Sequence, residues 1–128
     1  MRRALIIDDD VCILDLATLA LESRGWEVLA ASSAEDAIRL ALAGKPEIIL
    51  IDVHMPVMDG PELLKDLRSH VDIHDVPIVW LTAESSVRPS GLEDRGSVVG
   101  CIAKPFDPRK LSDSIDVLLR SYRRVTSL

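Results

Sequence analysis

Three consecutive aspartates, Asp8, Asp9 and Asp10, follow the apolar run "ALII" near the start of the chain. Three further polar groups stand in the same relation to later apolar runs: Asp52 follows "EIILI", Thr82 follows "PIVWL" and Lys104 follows "VGCIA". Drawn together, Asp8, Asp9 and Asp52 would repel one another beyond what one lysine can neutralise. Such a set wants a hard cation, and oxygen ligands that leave room for water suit Mg²⁺. Asp9 and Asp52 would hold it, with Asp8 bound directly or through water. A carboxylate can also act as a nucleophile toward phosphorus and form an aspartyl phosphate. Asp52 suits that role because it stands alone after its strand. Mg²⁺ and Lys104 would then balance charge on the transferred group while the Thr82 hydroxyl donates to one of its oxygens. Ala83 leaves the entrance open.

These groups meet only if the chain brings the ends of several strands together. The five apolar runs 4–7, 26–30, 47–51, 77–81 and 99–103 read as buried strands, and segments of helical period separate and follow them. Asp10 is placed to cap the first helix, whose apolar positions Ile13, Leu14, Ala17, Ala20 and Leu21 run toward a stop at Gly25. Ser32 with Glu35 reads as a capping box for the second helix, which ends at Gly44. The third opens at Asp59-Gly60-Pro61, and the last at Asp107-Pro108 with Leu111, Ile115, Leu118 and Leu119 on one face. Between them "SSVRPSGLEDRG" contains Pro89 and Gly91, which in a helix interior cost about 3 and 1 kcal/mol relative to alanine, so the fourth helix is expected to be short, broken or mobile. Strands alternating with helices imply a parallel sheet covered on both faces, with its site beyond the carboxyl ends of the strands.

At 128 residues and 48% hydrophobic, the chain suits one domain with a sizeable core, residues 121–128 forming a tail or the start of a linker. The net charge of −6 argues against general affinity for nucleic acid or anionic membranes, and Arg120, Arg123 and Arg124 read as a solvated helix end. No apolar stretch has the length of a membrane span, and the opening "MRRALIIDDD" is too short for a signal peptide, so a cytoplasmic location is expected. Cys12 and Cys101 lack metal-ligand spacing and are expected to be buried free thiols. His70 and His74 lie four apart near Asp72 and Asp75, yet "RSHVDIHDVP" reads as a solvated loop. Trp26 and Trp80 read as packing residues.

The segments "LIIDDD", "IDVHMPVMDG", "LTA" and "AKPF", in this order, resemble the receiver domain of two-component response regulators over essentially the whole chain. The resemblance implies a flavodoxin-like, doubly wound (βα)5 fold with strand order 2-1-3-4-5. It also implies that Asp52 is the phosphoacceptor, that Asp8 and Asp9 are the acidic pair serving Mg²⁺, and that Thr82 is the switch hydroxyl. Lys104 matches the family's lysine, and Lys104-Pro105 a peptide bond usually cis. The backbone carbonyl of His54 matches a further metal ligand. The side chains of His54 and Glu84 occupy variable positions that tune phosphoryl lifetime. The implied donor is a phosphohistidine on a sensor histidine kinase or phosphotransfer protein, or a small phosphodonor. The protein would be a regulator that catalyses its own phosphorylation and dephosphorylation. The resemblance leaves the downstream effector unnamed and allows a weak homodimer.

Two departures from the family pattern bear on output. Cys101 stands three residues before Lys104, where the family commonly has Tyr or Phe, and Pro89 and Gly91 interrupt the fourth helix. Together they put in doubt the face that many members use for partners, so output is expected through another surface or through phosphorylation-driven ordering of the fourth-helix segment. A haloacid-dehalogenase-type phosphatase is the enzymatic rival, but it needs an aspartate where His54 stands. The other rival is a phosphorylation-independent interaction module on the same fold, which the full set of five site residues disfavours. No Gly-rich nucleotide-binding loop follows a strand.

Overall fold

The computed structural model describes residues 2–53, 55, 60–83 and 98–126. The strands are β1 (Arg3–Ile7), β2 (Glu27–Ala31), β3 (Ile48–Asp52), β4 (Ile78–Thr82) and β5 (Val98–Ala103). The helices are α1 (Val11–Glu22), α2 (Ala34–Gly44), α3 (Gly60–Arg68) and α4 (Leu111–Thr126). The strands pair in parallel in the order β2-β1-β3-β4-β5. This is the flavodoxin-like order expected from the resemblance. Residues 84–97, which hold the expected fourth helix with Pro89 and Gly91, lie outside the described residues.

Side chains alternate across a strand, and the two cores follow from that period. Leu5, Ile7, Ile49, Ile51, Ile78 and Trp80 face α2 and α3, packing on Ala37, Ala41, Leu63 and Leu67. Ala4, Ile6, Ile48, Leu50, Val79 and Leu81 face α1 and α4, packing on Leu14, Ala17, Ile115 and Leu119. The central strands are buried on both faces, which is why they read as continuous apolar runs.

Side-chain caps set the starts of the first two helices. Asp10 is extended (φ −89°, ψ 109°), and its carboxylate accepts the N–H of Cys12. For α2 the cap is Ser33, whose hydroxyl accepts the N–H of Asp36. The expected Ser32–Glu35 box is therefore out by one residue. The last helix also opens later than expected, at Leu111, because Asp107 accepts the N–H of Arg109 in a preceding turn. Its continuation to Thr126 makes residues 121–126, read as a tail, helical.

The register between β4 and β5 shifts at Ile78/Val79, which is the mark of a bulge in the edge strand. Val98 and Cys101 consequently pack on the α2/α3 side while Val99 and Ile102 pack on the other. Beyond the bulge Cys101 pairs with Trp80 and Ala103 with Thr82. The strand thus ends with Lys104 beside Thr82.

Candidate functional site

Reversal of strand order opens a crevice between the carboxyl ends of β1 and β3, the place where doubly wound sheets bind ligands. Asp8 follows β1 and Asp52 is the last residue of β3, so they flank that crevice. Thr82 ends β4, and Lys104 follows β5. Asp8, Asp52 and Thr82 are buried, at 0%, 4% and 3% exposure, while Asp9 is exposed at the rim.

The Lys104 ammonium lies 2.9 Å from Asp8 Oδ2 and 3.2 Å from Asp52 Oδ1. Its backbone N–H donates to the Thr82 carbonyl at 2.7 Å, tying the β5 end to β4. The Lys104-Pro105 bond is cis. Burial alone would lower the lysine's pKa, but the hydrogen bond and charge of Asp8, with the charge of Asp52, outweigh it and hold the group above its ordinary value. The other Asp8 oxygen, Oδ1, accepts the N–H of Asp10 at 2.9 Å, and the N–H of Asp8 donates to the Ala31 carbonyl at 3.1 Å. Buried carboxylates persist when such donors surround them.

One carboxylate oxygen from each of Asp8, Asp9 and Asp52 lies within 4.8 Å of the other two. Among the described residues, this is the one group of three or more acidic, histidine or cysteine side chains so arranged. Three carboxylates against one ammonium leave the cluster negative. Its hard oxygen donors and exposed mouth fit a partly hydrated Mg²⁺.

A close approach completes the wall. A Cβ on Gly60 would fall 2.8 Å from the Asp52 carbonyl oxygen and 3.1 Å from that of Val53, so only glycine lets α3 begin this near the end of β3. Gly60 was legible as a turn residue. Its contact with the Asp52 backbone was not.

Several expected features fall elsewhere. His54, Glu84 and Asp59 lie outside the described residues. His70 and His74 stand in the turns between α3 and β4, where His74 Nδ1 is 2.6 Å from the Val71 carbonyl oxygen, and they do not join the acidic group. The cysteines are free but not buried: Cys12 is exposed on the first turn of α1 and Cys101 is half-buried. At residue 101 a small side chain stands opposite Trp80, whose indole is wholly buried. Trp26 is also buried, and its N–H donates to Ser112 at 3.0 Å. Arg120 and Arg123 engage their own fold, through the Asp116 carbonyl at 3.3 Å and Glu47 at 3.5 Å. No helix among the described residues is long and apolar enough to cross a membrane.

Comparison with known proteins agrees with this geometry. The family model described as "Response regulator receiver domain" matches residues 4–116. The alkaline phosphatase synthesis transcriptional regulatory protein PhoP of Bacillus subtilis is 33% identical over 119 residues, covering 93% of this chain and 49% of that protein. The phosphate regulon transcriptional regulatory protein PhoB of Pseudomonas aeruginosa is 36% identical over 121 residues, covering 91% and 51%. The chain therefore spans about half the length of these curated relatives. The chemotaxis response regulator CheY4 of Vibrio cholerae superposes with a TM-score of 0.83 at 30% identity, covering 92% of this chain and 98% of that one. A receiver domain protein from Methanospirillum hungatei superposes at 0.80 with 29% identity, covering 97% and 98%.

Proposed function

Because the chain belongs to the response regulator receiver domain family of two-component signalling, we propose that it is a switch set by phosphorylation of Asp52. A phosphohistidine on a sensor kinase or phosphotransfer protein is the donor. The observation that carries the proposal is the convergence of Asp8, Asp9, Asp52 and Lys104 beside Thr82, from the ends of four strands.

Asp9 and Asp52 would hold Mg²⁺, with Asp8 directly or through water and the backbone carbonyl of His54 completing the protein ligands. When bound, Mg²⁺ supplies positive charge against the phosphoryl oxygens and relieves repulsion among the carboxylates. A carboxylate oxygen of Asp52 attacks phosphorus, the O–P bond forms as the donor's P–N bond breaks, and the imidazole leaves with the bonding pair and takes a proton. Lys104 then turns from pairing Asp52 to pairing a phosphoryl oxygen, and the Thr82 hydroxyl donates to another. Hydrolysis reverses the modification: water adds to phosphorus, releasing inorganic phosphate and the Asp52 carboxylate. The side chains at 54 and 84 control how readily that water arrives.

In this role residues 1–128 act as one receiver domain, regulatory rather than metabolic, in the cytoplasm where the kinase has its ATP. The change at Thr82 and Lys104 is relayed to an effector. With Cys101 in place of a bulky aromatic, the relay departs from the commoner pattern, and it uses another surface or orders the fourth-helix segment within residues 84–98. Hydrogen exchange across that segment with and without a phosphoryl mimic separates these routes, since unchanged protection excludes ordering.

Intact mass after incubation with a small phosphodonor tests the proposal. The expected result is one phosphoryl adduct that requires Mg²⁺ and is absent in Asp52→Ala. If neither this donor nor a phosphorylated histidine phosphotransfer protein gives an adduct, the chain is an interaction module that does not use phosphorylation.

A further inference from the structure

We propose that Asp10 is a positioning residue for the metal-binding pair, setting the orientation of Asp8 and Asp9 through the backbone without itself being a ligand. The inference rests on the Mg²⁺ site proposed above.

Asp8 and Asp10 form two successive side-chain-to-backbone turns. Asp8 Oδ1 accepts the N–H of Asp10 at 2.9 Å, and Asp10 Oδ1 accepts the N–H of Cys12 at 2.9 Å. The Asp10 carbonyl meanwhile accepts the N–H of Leu14 at 3.1 Å, the first hydrogen bond into α1. Residue 10 thus has its amide on the buried carboxylate and its side chain and carbonyl on the helix.

The first ring closes through Asp9. The hydrogen bond from the Asp10 N–H to Asp8 Oδ1 therefore constrains both peptide units that carry the Asp9 side chain, as well as the Asp8 carboxylate. Asp8 is wholly buried, and its second oxygen is committed to Lys104. Losing the Asp10 donor would leave Oδ1 short of a partner in a place where such losses are costly.

What keeps the Asp10 amide in position is the helix cap. Asp10 is exposed, so its charge acts through water, whereas its capping bond holds residue 10 extended at the start of a helix that would otherwise fray there. Asparagine caps about as well as aspartate, and alanine does not. Charge and position can therefore be separated by substitution.

The test is a Mg²⁺ titration of the wild-type chain, Asp10→Asn and Asp10→Ala, following the backbone amide resonances of residues 9 and 10. Circular dichroism establishes that each variant is folded. The expected result is a Kd weakened about 10-fold in Asp10→Ala, the order of loss typical when a group supporting a metal ligand is removed, with Asp10→Asn within about twofold of wild type. In metal-free protein the residue-10 amide should lose exchange protection only in the alanine variant. An unchanged Kd in Asp10→Ala would overturn the proposal and leave Asp10 as a helix cap only. Equal weakening in both variants would overturn it in favour of a direct charge effect. A wild-type chain that binds no Mg²⁺ overturns the metal site itself, a result the control reports separately.

Discussion

The sheet carries a charge cluster at each end, and the two are built on opposite terms. At the carboxyl end, Asp8, Asp9 and Asp52 outnumber Lys104, and two of the three acids are buried. At the amino end, Arg2 pairs with Asp116 and with Glu47 at 3.4 Å, Arg123 approaches Glu47 at 3.5 Å, and none of the four is fully buried: Arg2, Glu47 and Asp116 are half-buried and Arg123 is exposed. Arg2 also lies over the Trp26 ring, 3.9 Å from its centroid. Among the described residues, that basal cluster sets the cations Arg2 and Arg123 against the anions Asp116 and Glu47. The upper one is short of positive charge, and the burial of Asp8 and Asp52 weakens the screening that water gives. Burial and imbalance together, rather than the number of charges, distinguish a site from a surface network.

The largest contrast should come from removing one cation at each end. Lys104→Met removes the ammonium that pairs with buried Asp8 and Asp52, so urea denaturation without metal should show a loss of about 3 kcal/mol, and Mg²⁺ should restore part of it. Nearly as large is the effect of the metal on the wild type, where Mg²⁺ at 100 times its Kd should add about 2.7 kcal/mol. Asp52→Asn, with one of the three clustered carboxylates removed, should gain far less. At the base, Arg2→Ala loses screened ion pairs and one cation–π contact, about 1 kcal/mol in all. Its Mg²⁺ affinity and phosphoryl adduct should match wild type, and a drop in either would break the division between the ends.

The smallest effect is in pH. Lys104 has a raised pKa in the folded chain, so its stabilising contribution is fully present below its ordinary value of 10.5 and is lost as pH rises through the higher folded value. Metal-free wild type should therefore lose stability in the alkaline range above 10.5. Lys104→Met should lack that component, whereas Arg2→Ala should keep it.

Much of the site was legible because each polar group directly followed an apolar run, and parallel sheets gather such positions at one end. Asp8, Asp9, Asp52, Thr82 and Lys104 could be named on that ground before any geometry was known. Helix starts were less legible: Ser32 and Ser33 offer the same hydroxyl one residue apart, and Asp107 caps a turn as readily as a helix. The β5 bulge left only a faint mark in Gly100, since a glycine inside a strand weakens it and often accompanies a bulge without fixing where the register shifts. The burial expected of Cys12 failed for a related reason: a small apolar side chain is compatible with either face of α1.

Local chemistry, written in the order of residues, was enough to specify strands, helices and the kinds of group at the strand ends, because periodicity and capping act over a few positions. The distances among those groups depend on pairing between segments far apart in the chain. Lys104 reaches Asp8 across 96 positions, and Trp26 reaches Ser112 across 86. Strand order, the bulge in β5 and the close approach of Gly60 turn a list of acids into a partly buried, negative cluster with one lysine. Packing of the sheet chooses which charges lose water, and that loss makes the carboxyl end chemically different from the base.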